Sequence, residues 1–234
     1  MQDFSSSFTD SLGLILSGDP YLLGIVFLSL KVSLVALVLA ALIGLPLGAL
    51  LATTRFFGRN AIIVLVNALM GLPPVVVGLG LYLMLSRAGP FGVLDLLYTP
   101  AAMIIAQMIL ITPILTALTR QTVEDMNSEY HELLASLRLS RRERMRVLLW
   151  DSRFALMTAL LAGFGRATAE VGAVIIVGGN INHVTRVMTT TIALETSRGN
   201  LALAMALGTI LLIIALVVNA ALSVLGRATG RAYA

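Results

Sequence analysis

Long apolar runs separated by short polar ones decide the fold class of this chain. Stretches 32–54, 60–86, 96–119 and 199–226 contain no Asp, Glu, Lys or Arg, and 154–185 contains only Arg166 and Glu170. A spanning helix needs about 20 mostly apolar residues. The pattern predicts an all-α integral membrane protein with five transmembrane helices in one domain. The expected divisions are an extracytoplasmic segment over 1–20, a transmembrane domain over 21–226 and a cytoplasmic tail over 227–234. The first span reads as one helix from about Tyr21 to Thr53, ~50 Å long at 1.5 Å per residue. That exceeds the ~30 Å hydrocarbon core, so a tilt or a bend near Pro46 is expected.

Two spans carry breakers. Gly71-Leu72-Pro73-Pro74 interrupts the second, where two prolines remove two helix donors. Such interruptions mark gates and binding sites in transporters. Thr112-Pro113 in the third reads as an ordinary kink. The longest polar stretch is 120–153. Within it, apolar residues recur at Leu133, Leu134 and Leu137, then at Met145, Leu148 and Leu149, which is helical spacing in two pieces. Ser140 between them, with Glu143 three residues on, predicts a capping box. A helix, a turn and a helix along the membrane surface are expected. This segment serves either as a basic loop resting on anionic lipid or as a docking element for a soluble partner. Segment 178–200, rich in Gly, Asn and Thr, reads as a second loop.

Charge orients the chain. Arg55, Arg59, Arg120, Arg138, Arg141, Arg142, Arg144, Arg146, Arg153, Arg227 and Arg231 fall on one side, against Arg87, Arg186 and Arg198 on the other. The richer side belongs in the cytoplasm, so the N-terminus lies outside and the C-terminus inside. Lys31 sits near the outer interface, snorkelling or attracting an anion. The start, Met1-Gln2-Asp3-Phe4, lacks the basic residues of a leader, so the first span is expected to be retained. The net charge of +4 does not imply nucleic acid, because the basic residues flank spans.

Composition removes several functions. There is no cysteine, hence no disulfide and no thiolate metal site. His131 and His183 are isolated, each expected in solvent, and make no metal site. No catalytic constellation and no cofactor site is evident. Lys31 is the one lysine and lies outside any phosphate-binding loop motif, so the chain is not its own ATPase. Energy comes from a partner or from an ion gradient.

The candidate chemistry centres on Arg166 and Glu170. Charges at membrane depth are costly and are expected to face protein or a watery path. Their i, i+4 spacing puts them on one helical face, where they can pair. They either neutralise each other and fix packing, or Arg166 supplies positive potential along a path while Glu170 holds it. Gly178, Gly179 and Asn180 either end the fourth helix or shape an outer gate.

Gly165-Arg166-Ala167 with Glu170-Val171-Gly172-Ala173 is similar to the signature of ABC-type oxyanion importer permeases. Val177-Gly178-Gly179-Asn180, Gly71-Leu72-Pro73-Pro74 and Tyr98-Thr99-Pro100 resemble the tungstate branch in particular, with molybdate and sulfate permeases as relatives. Residues 129–151 resemble the coupling loop of such importers, with Glu132, Leu133, Leu134, Leu137 and Ser140 at matching places. Arg138 stands where Gly is usual, and Asp151 where Pro is usual. The resemblance implies the type I importer fold and a homodimer in a bacterial or archaeal cytoplasmic membrane. It also implies two cytoplasmic ATPase subunits that use ATP and Mg, and an extracytoplasmic binding protein that delivers the oxyanion. It places Glu132, Leu133, Leu134, Leu137, Arg138 and Ser140 on the coupling loop. Arg166, Glu170, Gly172, Pro73, Pro74, Gly178, Gly179 and Asn180 fall on the pathway or its gate. An ion-gradient-driven transporter using Glu170 as a proton relay is the alternative from another class.

Overall fold

The computed structural model describes residues 4–137 and 139–232. Among the described residues every regular element is helical: α1 (Phe4–Leu16), α2 (Pro20–Thr53), α3 (Arg59–Met70), α4 (Pro74–Leu85), α5 (Pro100–Glu129), α6 (His131–Ser136), α7 (Arg141–Asp151), α8 (Arg153–Thr168), α9 (Gly172–Gly178), α10 (Met188–Arg198) and α11 (Leu201–Ala232), with one 3-10 turn at Gly92–Leu94. Helices α2, α5 and α11 are long and apolar enough to cross a membrane. Two bent pairs, α3 with α4 and α7 with α8, raise the candidate crossings to five. Only 22% of the most apolar window of α11 is buried. An apolar surface that open needs lipid or another subunit against it.

Asp19 starts α2 by accepting the Leu22 N–H at 2.9 Å, an N-terminal cap of the usual kind. Helix α5 continues through Pro113, with threonine hydroxyls bonded to backbone carbonyls nearby. Thr112 and Thr116 donate to the Met108 and Thr112 carbonyls at 2.7 and 2.8 Å, on either side of Pro113.

The chain divides into two compact units. The first takes the chain up to Ala36, Pro73–Gln107 and Gly165–Val218; the second takes Leu37–Leu72, Met108–Phe164 and the chain from Asn219. In the first unit Leu22 and Ile25 of α2 pack with Met188 of α10 and Ala206 and Leu207 of α11. Here α4 and α9 approach closely: a Cβ on Gly78 would lie 2.9 Å from the Ala173 Cα. In the second unit Ala49 and Ala52 of α2, Val123 and Met126 of α5, Leu134 of α6 and Leu148 of α7 form a buried cluster. A Cβ on Gly48 would lie 2.6 Å from the Thr116 carbonyl oxygen, so α2 meets α5 through the small-residue contact that membrane helices favour.

Two expectations change, and two helices run on beyond their apolar stretches. Helix α5 does not end with the apolar run at 119. It continues as helix to Glu129, because Arg120 pairs with Glu124 one turn on and Val123 and Met126 are buried. The fourth span, expected as one continuous helix through Arg166 and Glu170, stops at Thr168 and restarts at Gly172. Part of the expected loop over 178–200 is a helix, α10, whose Thr189, Thr190 and Thr191 are buried. Finally, α11 runs to Ala232, into the expected tail.

Candidate translocation and coupling sites

The break between α8 and α9 holds the charge pair. Arg166 donates through Nη1 to Glu170 Oε2 at 2.6 Å. Glu170 lies beyond the last residue of α8, not on a continuous helix, yet the pair still closes. Glu170 Oε1 accepts the Ala173 N–H at 3.2 Å, which helps start α9. The two charges differ in environment, with Glu170 at 4% side-chain exposure and Arg166 at 39%. Their mutual neutralisation leaves no net positive charge at the break.

A broken helix frees backbone groups that have no water to turn to at membrane depth. Side chains from other helices meet them. Gln107 of α5 donates through Nε2 to the Ala167 carbonyl at 3.0 Å, and Thr189 of α10 donates to the Glu170 carbonyl at 2.8 Å. The Met188 N–H, at the start of α10, donates to Ser29 of α2 at 2.7 Å. These side chains line a small cavity with Ser33 and Glu170. Sequence reasoning gave Gln107, Thr189 and Ser29 no role. The available signal was Gln107, a primary amide within an uncharged apolar span.

The other pathway candidates fall around α4 and α9. Pro73 caps α4 in extended geometry and Pro74 occupies its first turn. Gly172 opens α9 against Val75; a Cβ there would lie 3.0 Å from Val75 Cγ2. At the far end of α9, Gly178 accepts the Thr185 hydroxyl at 2.5 Å. Gly179 caps the helix at φ 68, in the left-handed region, with Tyr98 where a Cβ would go. Asn180, at φ 49, accepts the Thr190 hydroxyl at 2.9 Å. Arg186, in the segment expected as a second loop, is half-buried and donates to the Tyr21 hydroxyl at 2.6 Å.

The coupling candidates sit in the second unit. Ser140 caps α7 with its side chain while Glu143 reaches back to the Ser140 N–H at 2.9 Å, the capping box expected from spacing. The Ser140 hydroxyl and N–H hold the Glu143 carboxyl below the usual carboxylate range. Leu134 is buried, whereas Glu132, Leu133 and Leu137 are exposed. Arg138 lies outside the described residues. Arg144 donates through Nε to Asn127 at 2.7 Å, tying α7 to α5, and Arg59 bonds Glu124 at 2.9 Å. The segment is thus anchored by one buried face and presents apolar side chains outward.

Comparison with known proteins finds relatives along most of the chain. Residues 44–232 match the family described as binding-protein-dependent transport system inner membrane component. A probable anion ABC transporter permease of Haloferax volcanii is 39% identical over 205 residues, 86% of this chain and 88% of that one. The tungstate uptake system permease TupB of Peptoclostridium acidaminophilum is 38% identical over 220 residues, covering 94% and 96%. TupB of Campylobacter jejuni is 38% identical over 212 residues, covering 91% and 89%. Relatives named for molybdenum and sulfate transport are more distant. Likeness of this extent, running through both the broken span and the helical segment after α5, means that the chain belongs to the family of inner-membrane permeases of binding-protein-dependent ABC transport systems.

Proposed function

We propose that the chain is the membrane-spanning subunit of an ATP-driven tungstate importer. Two copies form the pathway, with the N-terminus outside and the C-terminus in the cytoplasm. Two cytoplasmic ATPase subunits dock on the 120–153 segment and themselves bind and use ATP and Mg. A binding protein delivers the oxyanion from outside. The observation that carries the substrate is the likeness, along nearly the whole chain, to permeases named for tungstate uptake. The dockable segment supports the division of labour, since exposed Leu133 and Leu137 suit insertion into a groove of another protein. Lys31, the one lysine, sits in no nucleotide-binding motif, so the energy source is a separate subunit. Family membership removes the support for an ion-gradient mechanism with Glu170 as relay.

The permease needs only weak contact with the anion, because it must release what it binds. Selectivity then belongs to the binding protein. The test is uptake of tungstate into vesicles containing this chain, its ATPase and its binding protein, with molybdate and sulfate as competitors. ATP-dependent uptake that resists excess molybdate is expected. Uptake abolished by molybdate or sulfate would move the substrate within the oxyanion class, and uptake without ATP would overturn the proposal.

A further inference from the structure

We infer that Arg186, on the loop between α9 and α10, forms a transit station for the oxyanion, separate from the Arg166–Glu170 pair. The inference rests on the oxyanion-importer reading above and adds a site to it.

The observation is a cation without a counter-ion. Arg186 is half-buried. Its Nη1 donates to the Tyr21 hydroxyl at 2.6 Å, its Nη2 reaches the Asn180 carbonyl at 3.5 Å, and its Nε is buried with no hydrogen-bond partner among the described residues. All of these partners are neutral. In the same unit Arg166 is matched by Glu170 and Arg198 by Glu195, but no carboxylate among the described residues comes within 4.0 Å of Arg186. A partly buried charge is costly unless paired, and a buried N–H without an acceptor adds to that cost.

The surroundings fit an anion as the missing partner. Arg186 lines a cavity of about 430 Å³ with Tyr21, Gly24, Ile25 and His183. That volume admits a tetrahedral oxyanion with part of its hydration shell. Tyr21 is fixed on two sides, by the Arg186 bond and by an edge-on contact with His183 at 5.5 Å between ring centroids. The buried Nε–H is closed to the cavity, so a charge-assisted bond to an oxyanion there would come from the Nη groups, whose present acceptors are neutral and of which Nη2 is weakly held. One arginine with neutral supports gives attraction without a full cage, as transit requires. The same chemistry would also suit the phosphate of a lipid headgroup, and the test separates the two.

The test uses the assembled permease–ATPase complex in nanodiscs without its binding protein, dialysed against sodium tungstate, together with uptake by the full importer. Wild type is expected to bind tungstate weakly. Arg186→Gln should weaken that binding about tenfold, the size of a lost charge-assisted bond, and should lower uptake. Arg186→Lys should retain part of the binding, because the charge remains. Tyr21→Phe, which frees Nη1, should bind at least as well as wild type. Unchanged binding in Arg186→Gln, equal loss in the Gln and Lys variants, or loss in Tyr21→Phe would each overturn the station. The Tyr21 arm holds even if Arg186→Gln fails to assemble. A retained phospholipid that disappears in Arg186→Gln and is not displaced by tungstate would assign the site to lipid and overturn it too. If wild type takes up no oxyanion at all, the importer reading fails. If wild type transports tungstate while every variant binds and transports alike, only the station fails.

Discussion

The α8–α9 break and the 120–153 segment both gather polar groups in an apolar chain, yet they satisfy them in opposite ways. At the break and the start of α10 beside it the partners come from far along the sequence: Gln107 for Ala167, Thr189 for Glu170, and Ser29 for Met188. In the segment most of them are neighbours, with Ser140 and Glu143 bonded three residues apart and Arg120 and Glu124 four apart. Where water is absent, backbone groups freed by a break must be met by the tertiary structure. Where the helices are exposed, local bonds suffice, and side chains such as Leu137 stay uncovered.

The comparison breaks most visibly if the buried and exposed leucines of the coupling segment behave alike. Leu134→Ala removes a buried side chain and should cost about 3 kcal/mol, read as a lower melting temperature in detergent. Leu137→Asp and Glu132→Ala change exposed residues. They should insert and melt as wild type while ATP-driven uptake falls to background. Normal uptake in both would remove the docking assignment.

At the break, the unequal burial of the charge pair predicts an unequal response. Arg166→Ala strands the buried Glu170 carboxylate and should cost about 2 kcal/mol, discounted from a fully buried pair because Arg166 is partly exposed. Glu170→Gln keeps an acceptor for the Ala173 N–H and should cost less. Melting of the two variants side by side checks the order, and the reverse order would mean that the carboxylate is not the confined partner.

A close approach should yield a smaller effect. Gly78→Ala places a methyl group against Ala173 backbone and should destabilise by about 1–2 kcal/mol. Retained stability with lost uptake would show that the α4–α9 contact serves movement more than folding.

The smallest effect belongs to the α7 cap. Ser140→Ala should speed hydrogen exchange of the first α7 amides about fivefold, the size of a lost N-cap. The Glu143 pKa is lowered in the folded state, so its contribution is complete above the ordinary carboxylate range. It is lost as pH falls through the lowered value. Exchange protection at the α7 start should therefore hold at neutral pH and fade only in acid.

Much of the fold was legible because its signals are local. The uninterrupted apolar runs of α2 and α11 announce themselves by length, and Ser140 with Glu143 announces a cap by spacing alone. The charge pair was visible as two ionisable residues in an apolar run. Its helix break was not, because residues 154–185 are apolar on both sides of it and the groups that accommodate it lie on α2, α5 and α10. Helix α10 was hidden by its threonines, which read as loop. In place, Thr191 bonds the Val187 carbonyl at 2.7 Å and Thr189 reaches Glu170. The surroundings of Arg186 were equally out of reach, since Tyr21 precedes it by 165 positions.

The contact between Gly78 and Ala173 has a mechanical consequence. Backbones that meet without intervening side chains cannot slide past each other without a clash, so α4 and α9 travel as one plate. A plate of this kind bends only at its rims. Any displacement of this pair must then be absorbed by the non-helical residues before Pro74, by those between Thr168 and Gly172, and by the left-handed turn at Gly179 and Asn180.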